Sequence, residues 1–243
     1  MPTTTVLGFD TATAATVVGV LSGDTVVEHR DDPPTGTRPG HATRLLGLVD
    51  AALNEAGIGW EQIDRVAVGV GPGSFTGLRI GVATARALAQ ARGLPIAPVS
   101  TLRALAAGVP ASASASADAG ADAGRGAHHP IAAVIDARRG EVFAGVWDGD
   151  TTLVEQAALT PEALAARLSG TVGPLVAVGD GALRFREVLE AAGVTVPPDD
   201  ASLHRVSAAQ VCRLGAAVAV LDADEVLPDY HRRPDAEIPR PRR

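Results

Sequence analysis

The chain repeats itself, and the repeat limits the folds open to it. Phe9-Asp10 is followed nine residues after the aspartate by Gly19-Val20, and Ile135-Asp136 is followed at the same distance by Gly145-Val146. Val66-Ala67-Val68-Gly69-Val70-Gly71 then matches Val176-Ala177-Val178-Gly179-Asp180-Gly181, and Val99-Ser100 matches Val206-Ser207, in the same order. Each half reads as a three-strand meander, a helix, a strand, a glycine turn, a helix, a strand and a helix. Strands reached through helices pair in parallel by right-handed crossovers. The expected architecture is therefore α/β, with two duplicated lobes facing each other across a cleft and the Asp10 and Asp136 turns pointing into it.

The elements follow from local pattern. Runs rich in Val, Thr and Leu at 5–9, 16–21 and 25–28 read as strands, and the Pro- and Gly-rich stretch 31–40 as a loop. Residues 41–56 put Leu45, Leu48, Val49, Ala52 and Leu53 on one helical face, stopped by Gly57. Strand 65–70, helix 75–92 closed by Gly93, strand 95–99 and a helix to 107 capped by Ser100 complete the first half. The second half reads as strands 131–135, 142–147 and 152–155, helix 161–168, strand 175–178, helix 182–192, strand 203–206 and helix 208–221, whose Ser207 and Gln210 fit a capping box. Between the halves, 108–129 is Ala, Ser, Asp and Gly with almost nothing to bury, and reads as a flexible linker or loop, its His128-His129 pair as solvated histidines. The expected organisation is a first lobe at 1–107, the linker at 108–129 and a second lobe at 130–243, ending in an Arg/Pro-rich tail that reads as frayed and solvated.

Composition removes several chemistries. All 21 cations are Arg, so a Schiff base, a Walker-type lysine and a Ser-Lys dyad are excluded. The one cysteine, Cys212, excludes an internal disulfide and a zinc-cysteine cluster. Seven aromatics and a net charge of −7 make a poor stand-alone nucleic-acid binder. The segment MPTTTVLGFD lacks a basic region, and no apolar run approaches the ~18–20 residues of a membrane span, so the expected compartment is the cytoplasm.

The duplicated layout resembles the actin, Hsp70 and sugar-kinase superfamily, in which the Asp and Gly turns hold nucleotide phosphates and magnesium. Closer still is a family resemblance. Phe9-Asp10-Thr11-Ala12-Thr13, the helix opening His41-Ala42-Thr43-Arg44-Leu45-Leu46, VIDARRGEVFAGVW (134–147) and above all GPGSFTGLRIGVATARALA (71–89) closely resemble the bacterial TsaB family, also called YeaZ. The likeness covers nearly the whole chain outside 108–129. It implies a two-lobed actin-like fold and a non-catalytic role in making threonylcarbamoyladenosine next to the anticodon of tRNAs reading A-starting codons. The implied partners are TsaD, which carries the metal and transfers the group, and the ATPase TsaE, while TsaC makes the activated intermediate. A homodimer is expected when TsaD is absent, tRNA is reached only through the complex, and no membrane is involved.

The residues carry this reading as follows. Asp10, Thr11, Thr13 and Asp136 would form a vestigial nucleotide cleft. The isolated chain is expected to hold no cofactor, with ATP or ADP and Mg left to the complex. Against phosphate chemistry, Asp136-Ala137-Arg138-Arg139-Gly140 is not a Gly-Gly-Thr phosphate turn, Pro72 removes an N–H from the Gly71-Pro72-Gly73 turn, and Ser74 is not a nucleophile elbow. The transferase partner uses a His-x-x-x-His metal pair; here His41 has Leu45 four residues on, so no metal is expected and His41 reads as a polar residue at the interface or surface. Gly73, Gly77, Gly81, Ala85 and Ala89 recur every fourth residue and suit close helix approach, either to the chain's own elements or to a partner. Helices 41–56 and 74–92 resemble the pair that docks on TsaD, which places His41, Leu45, Leu48, Phe75, Gly77, Leu78, Gly81, Val82 and Ala85 at the expected interface. The alternatives are an actin-like small-molecule kinase or ATPase, and a metallopeptidase-like protein.

Overall fold

In the computed structural model, which describes residues 4–34, 36–110, 129–170 and 174–231, each half of the chain builds a five-stranded sheet. The first half supplies β1 (Val6–Asp10), β2 (Thr16–Ser22), β3 (Thr25–Asp31), α1 (His41–Ala56), β4 (Arg65–Gly71), α2 (Phe75–Arg92), β5 (Ile96–Ser100) and α3 (Thr101–Ala107). The second supplies β6 (Ile131–Arg138), β7 (Glu141–Asp148), β8 (Thr151–Leu159), α4 (Pro161–Leu168), β9 (Leu175–Val178), α5 (Asp180–Arg184), α6 (Arg186–Ala191), β10 (Val194–Thr195) and α7 (Ala208–Ala217). The strand orders β3-β2-β1-β4-β5 and β8-β7-β6-β9-β10 are the same order twice. In each sheet the meander pairs antiparallel and the last two strands add in parallel.

The central strands are apolar on both faces because both faces are covered. Val6, Val17 and Leu21 enter the core shared with the second sheet, while Leu7, Phe9, Val18 and Val20 lie under α1 and α2. The layers run α1/α2, first sheet, α3/α7, second sheet, α4–α6. The two middle helices are exchanged. Helix α3, which ends the first half, packs on β6 and β7, whereas α7 of the second half packs on β1, β2 and β4. Glycine permits the second of these contacts: a Cβ on Gly8 would stand 2.6 Å from Cys212 Sγ. Beyond α7 the chain stays on the first lobe. Leu221 pairs antiparallel with Ile96, Val226 enters the core under α1 and α2, and the Asp229 N–H donates to Val70 O at 2.8 Å.

Four second-half expectations change. Helix 182–192 is broken at Phe185 into α5 and α6. Residues 203–206 are not a strand: Ser202–His204 forms a single 3-10 turn, and the fifth strand is the short β10. Helix 208–221 stops at Ala217, because Arg65 Nη1 donates to the carbonyls of Gly215 and Val218 and the chain then turns to pair with β5. The Ser207–Gln210 capping box is also absent; the N–H of Ala209 and the hydroxyl of Ser207 donate to Glu28 of β3 instead, an anion placed at a helix N-terminus. The third repeat match holds as the entry to each exchanged helix, although only Val99-Ser100 of the pair lies in a strand. Of the linker expected at 108–129, residues 111–128, His128 among them, lie outside the described residues, as does the tail from 232; the first residues of the tail expected at 228–243 are not frayed but held on the first lobe through Asp229. Among the described residues no helix is long and apolar enough to cross a membrane.

Candidate functional site

The turn after β1 is where an actin-like lobe offers a carboxylate. Asp10 is 1% exposed. Its Oδ1 accepts the Ala12 N–H at 2.7 Å and its Oδ2 accepts the Thr101 hydroxyl at 2.7 Å. Burial pushes its pKa up, while those two bonds pull it down. Thr11 is likewise turned inward, its hydroxyl donating to the Gly77 carbonyl at 2.8 Å. Asp10 thus joins the β1 turn to the start of α3, and Thr11 joins it to α2.

The matching turn of the second lobe is more open. Asp136 Oδ1 accepts the Arg138 N–H at 2.8 Å, and Oδ2 accepts from Arg184 at 2.7 Å and Arg138 at 3.3 Å. Asp180, whose pKa burial raises, accepts the Asp136 N–H at 3.0 Å. Between the lobes lies a cleft of about 140 Å³. It is lined by Thr13, Arg30, Leu105, Ile135, Asp180 and His204 among others, and of the four expected nucleotide residues only Thr13 faces it. Arg30 there is held by Asp32 through paired bonds of 2.6 and 2.8 Å. Ligand pockets typically occupy about 300–1,000 Å³, so this cleft is small for a nucleotide. Among the described residues no three His, Cys, Asp or Glu side chains converge as a metal site.

On α1 and α2 the structure separates two faces. Of the nine side chains expected at a docking surface, His41, Leu45, Gly77, Leu78, Gly81, Val82 and Ala85 are buried inside the subunit, Leu48 is half-buried and Phe75 is exposed. The glycine stripe is filled by the chain's own β1 turn. A Cβ on Gly77 would run into Thr11 O, and one on Gly81 would stand 2.5 Å from Thr11 Oγ1. His41 is not a surface residue: its Nδ1 bonds Thr16 Oγ1 at 2.8 Å, its Nε2 is buried without a partner, and burial lowers its pKa. The physical reason is general. Apolar periodicity marks the helix face that covers the chain's own sheet.

The outward face of the same helices carries residues that periodicity passes over. Leu46 is 54% exposed beside Ala42 and Thr43 on α1, and Phe75 opens α2 with Arg79 one turn on. The Arg79 guanidinium sits 3.9 Å over the Phe75 ring. Tyr230, the only tyrosine in the chain, stacks beside them. Leu46 breaks the buried i, i+4 row of α1, and that offset is the one sequence signal that finds it.

Comparison with known proteins bears on this site. The family model described as TsaD: tRNA N6-adenosine threonylcarbamoyltransferase matches residues 33–169, a span holding both α1 and α2. The chain is similar to the tRNA threonylcarbamoyladenosine biosynthesis protein TsaB of Escherichia coli (strain K12), 32% identical over 234 residues, covering 91% of this chain and 93% of that one. It is 28% identical over 240 residues to the protein of the same name from Bacillus subtilis (strain 168), covering 96% of each. The solved structure of YeaZ from Pseudomonas aeruginosa superposes with a TM-score of 0.71 at 31% identity, over 93% of this chain and 99% of that chain. The duplicated sheets and this likeness bear out the actin-like fold.

Proposed function

The chain belongs to the TsaB (YeaZ) family, and from that premise we propose that it is a non-catalytic scaffold subunit of tRNA threonylcarbamoyladenosine biosynthesis. Its task is to dock on TsaD through the outward face of α1 and α2. The observation that carries this reading is that face itself, which keeps Leu46 and Phe75 in solvent although the opposite sides of both helices already have their sheet. The segment shared with the transferase family spans both helices, so TsaD would present an equivalent pair, and two pairs packed together make a four-helix contact. In the absence of TsaD the same face supports a homodimer.

The interior supports a scaffold rather than a catalyst. Both Asp10 oxygens accept bonds from the chain's own turn and helix, and Asp136 is bridged by Arg138 and Arg184. Asp10, Thr11, Thr13 and Asp136 then serve as the struts of a vestigial cleft. Nucleotide and Mg belong to the assembled complex with TsaE, tRNA is reached through that complex, and the working compartment is the cytoplasm.

Reconstitution tests the proposal. A mixture of TsaC, TsaD, TsaE, ATP, threonine, bicarbonate and tRNA is expected to lose modification when this chain is left out and to regain it on addition. Undiminished modification without it would reject the scaffold role, and a turnover by the lone polypeptide would reject its non-catalytic nature.

A further inference from the structure

Of the seven large apolar side chains exposed among the described residues, only Leu46 and Phe75 lie on α1 and α2. A standard interface covers about 800 Å² on each partner, and a large aromatic buries about 150–250 Å². Two such side chains make a small centre for a face of that size. Four of the other five, Val220, Leu221, Leu227 and Tyr230, lie on the segment after α7. This strap returns to the first lobe, pinned by Leu221 on β5, by Val226 in the core and by the Asp229 N–H on Val70. Its last described residues lie beside the first turn of α2. There the Tyr230 ring centroid is 5.3 Å from that of Phe75, and Arg79 Nε donates to the Tyr230 hydroxyl at 3.1 Å. Both rings remain about two-fifths exposed, and Leu227, three residues upstream, is 66% exposed.

From these positions we infer that the C-terminal strap is part of the docking face, with the Phe75–Arg79–Tyr230 cluster joining it to α2 and TsaD as the occupant. The inference rests on the docking reading above and enlarges the surface assigned to it. Aromatic and Arg side chains are the types that anchor interfaces, and here they are held together before any partner arrives. The ordering cost of Phe75 and Tyr230 is therefore met within the free subunit. The occupant follows from the shared segment: a TsaD-family protein carries the counterparts of α1 and α2, so its helix pair lands on this one and its flank reaches the strap. The strap lies outside residues 33–169. It is thus a feature of this chain that the shared helices do not supply.

The test compares Tyr230→Ala, Tyr230→Phe, Leu227→Asp and Leu46→Asp in the full-length protein, with affinity for purified TsaD measured by calorimetry and folding checked by thermal melting. Tyr230→Ala and Leu227→Asp are expected to weaken TsaD binding about tenfold with an unchanged melting temperature. Tyr230→Phe, which keeps the stacked ring, is expected to stay within about threefold. If Leu46→Asp breaks binding while Tyr230→Ala and Leu227→Asp stay within twofold of wild type, the strap is not part of the face and this inference falls while the docking reading stands. If Leu46→Asp is silent as well, the docking reading itself falls. If the strap variants disturb only the homodimer, TsaD is the wrong occupant.

Discussion

On the inner side of α2, Gly77 and Gly81 bring the helix backbone against Thr11 and leave no room for a methyl group. On its outer side, Phe75 and Arg79 lean on Tyr230 and meet solvent. The same helix thus carries one face fixed by steric exclusion and one that meets solvent. The small-residue stripe, which by itself fits either close packing at home or a partner, belongs to the first face. A docking role has to be sought on the second, among residues that break the apolar rhythm.

The largest effects expected from this contrast are at Gly77 and Gly81. In an unobstructed helix interior Gly→Ala gains about 1 kcal/mol, so a melting temperature that rises in Gly77→Ala would break the comparison. Against the Thr11 carbonyl the substitution is expected to destabilise by about 1–3 kcal/mol, as overpacking does. At about 2–4 °C per kcal/mol, the melting temperature should fall by roughly 2–12 °C. Gly81→Leu should fall further and lose TsaD binding only as a consequence of unfolding.

The outer face predicts the converse. Leu46→Asp should leave the melting temperature within about 1–2 °C, since surface changes usually stay within ±0.5 kcal/mol. It should nonetheless cost at least about tenfold in affinity for TsaD, equivalent to about 1.4 kcal/mol. Equal melting and equal binding together would leave the outer face without a role.

A buried hydrogen bond sharpens the interior side. Thr101→Val keeps the shape but removes the donor to Asp10 Oδ2, leaving a buried acceptor short of a partner. A loss of about 1–3 kcal/mol is expected by thermal or urea unfolding, with threonylcarbamoyl transfer retained in the reconstituted system at temperatures where the variant is folded. Loss of transfer without loss of stability would restore a chemical role to this turn.

The smallest effect is a pH dependence. Burial lowers the pKa of His41 from its ordinary 6.5, so in the window between the two values the unfolded chain binds more protons than the folded one. Stability then falls as pH drops below about 6.5 toward the folded value. His41→Gln is expected to flatten this slope in melting curves taken from pH 7.5 to 5. An identical slope in the variant would assign the acid sensitivity to other groups.

The duplication made most of the fold legible. Paired Asp and Gly landmarks place both meanders, and amphipathic periodicity with glycine stops gives α1 over His41–Ala56 and α2 over Phe75–Arg92 as the structure has them. The errors cluster after residue 180, where contacts from the other half decide. Glu28 of β3 caps α7 in place of Ser207, and Arg65 of β4 takes the carbonyls at its end. Neither residue is near α7 in sequence. For the proposed docking site, the sequence points to α1 and α2 but to their buried faces, because the rhythm of Leu45, Val49 and Ala52 or of Gly77, Gly81 and Ala85 reports packing on the sheet. Tyr230 lies 155 residues from Phe75 and has no local signal linking it to α2.

What the sequence determines alone is what local forces determine: strand and helix identity from apolar period, helix ends from glycine, two lobes from a repeated order of elements. What only the tertiary structure decides is which half owns each connecting helix, where the chain goes after α7, and which side of α2 is left in water. Those depend on contacts between residues far apart in the chain, such as Cys212 against Gly8 or Asp229 on Val70. Such contacts form when two preformed surfaces fit. The fit is a property of both surfaces at once and leaves no period in either segment.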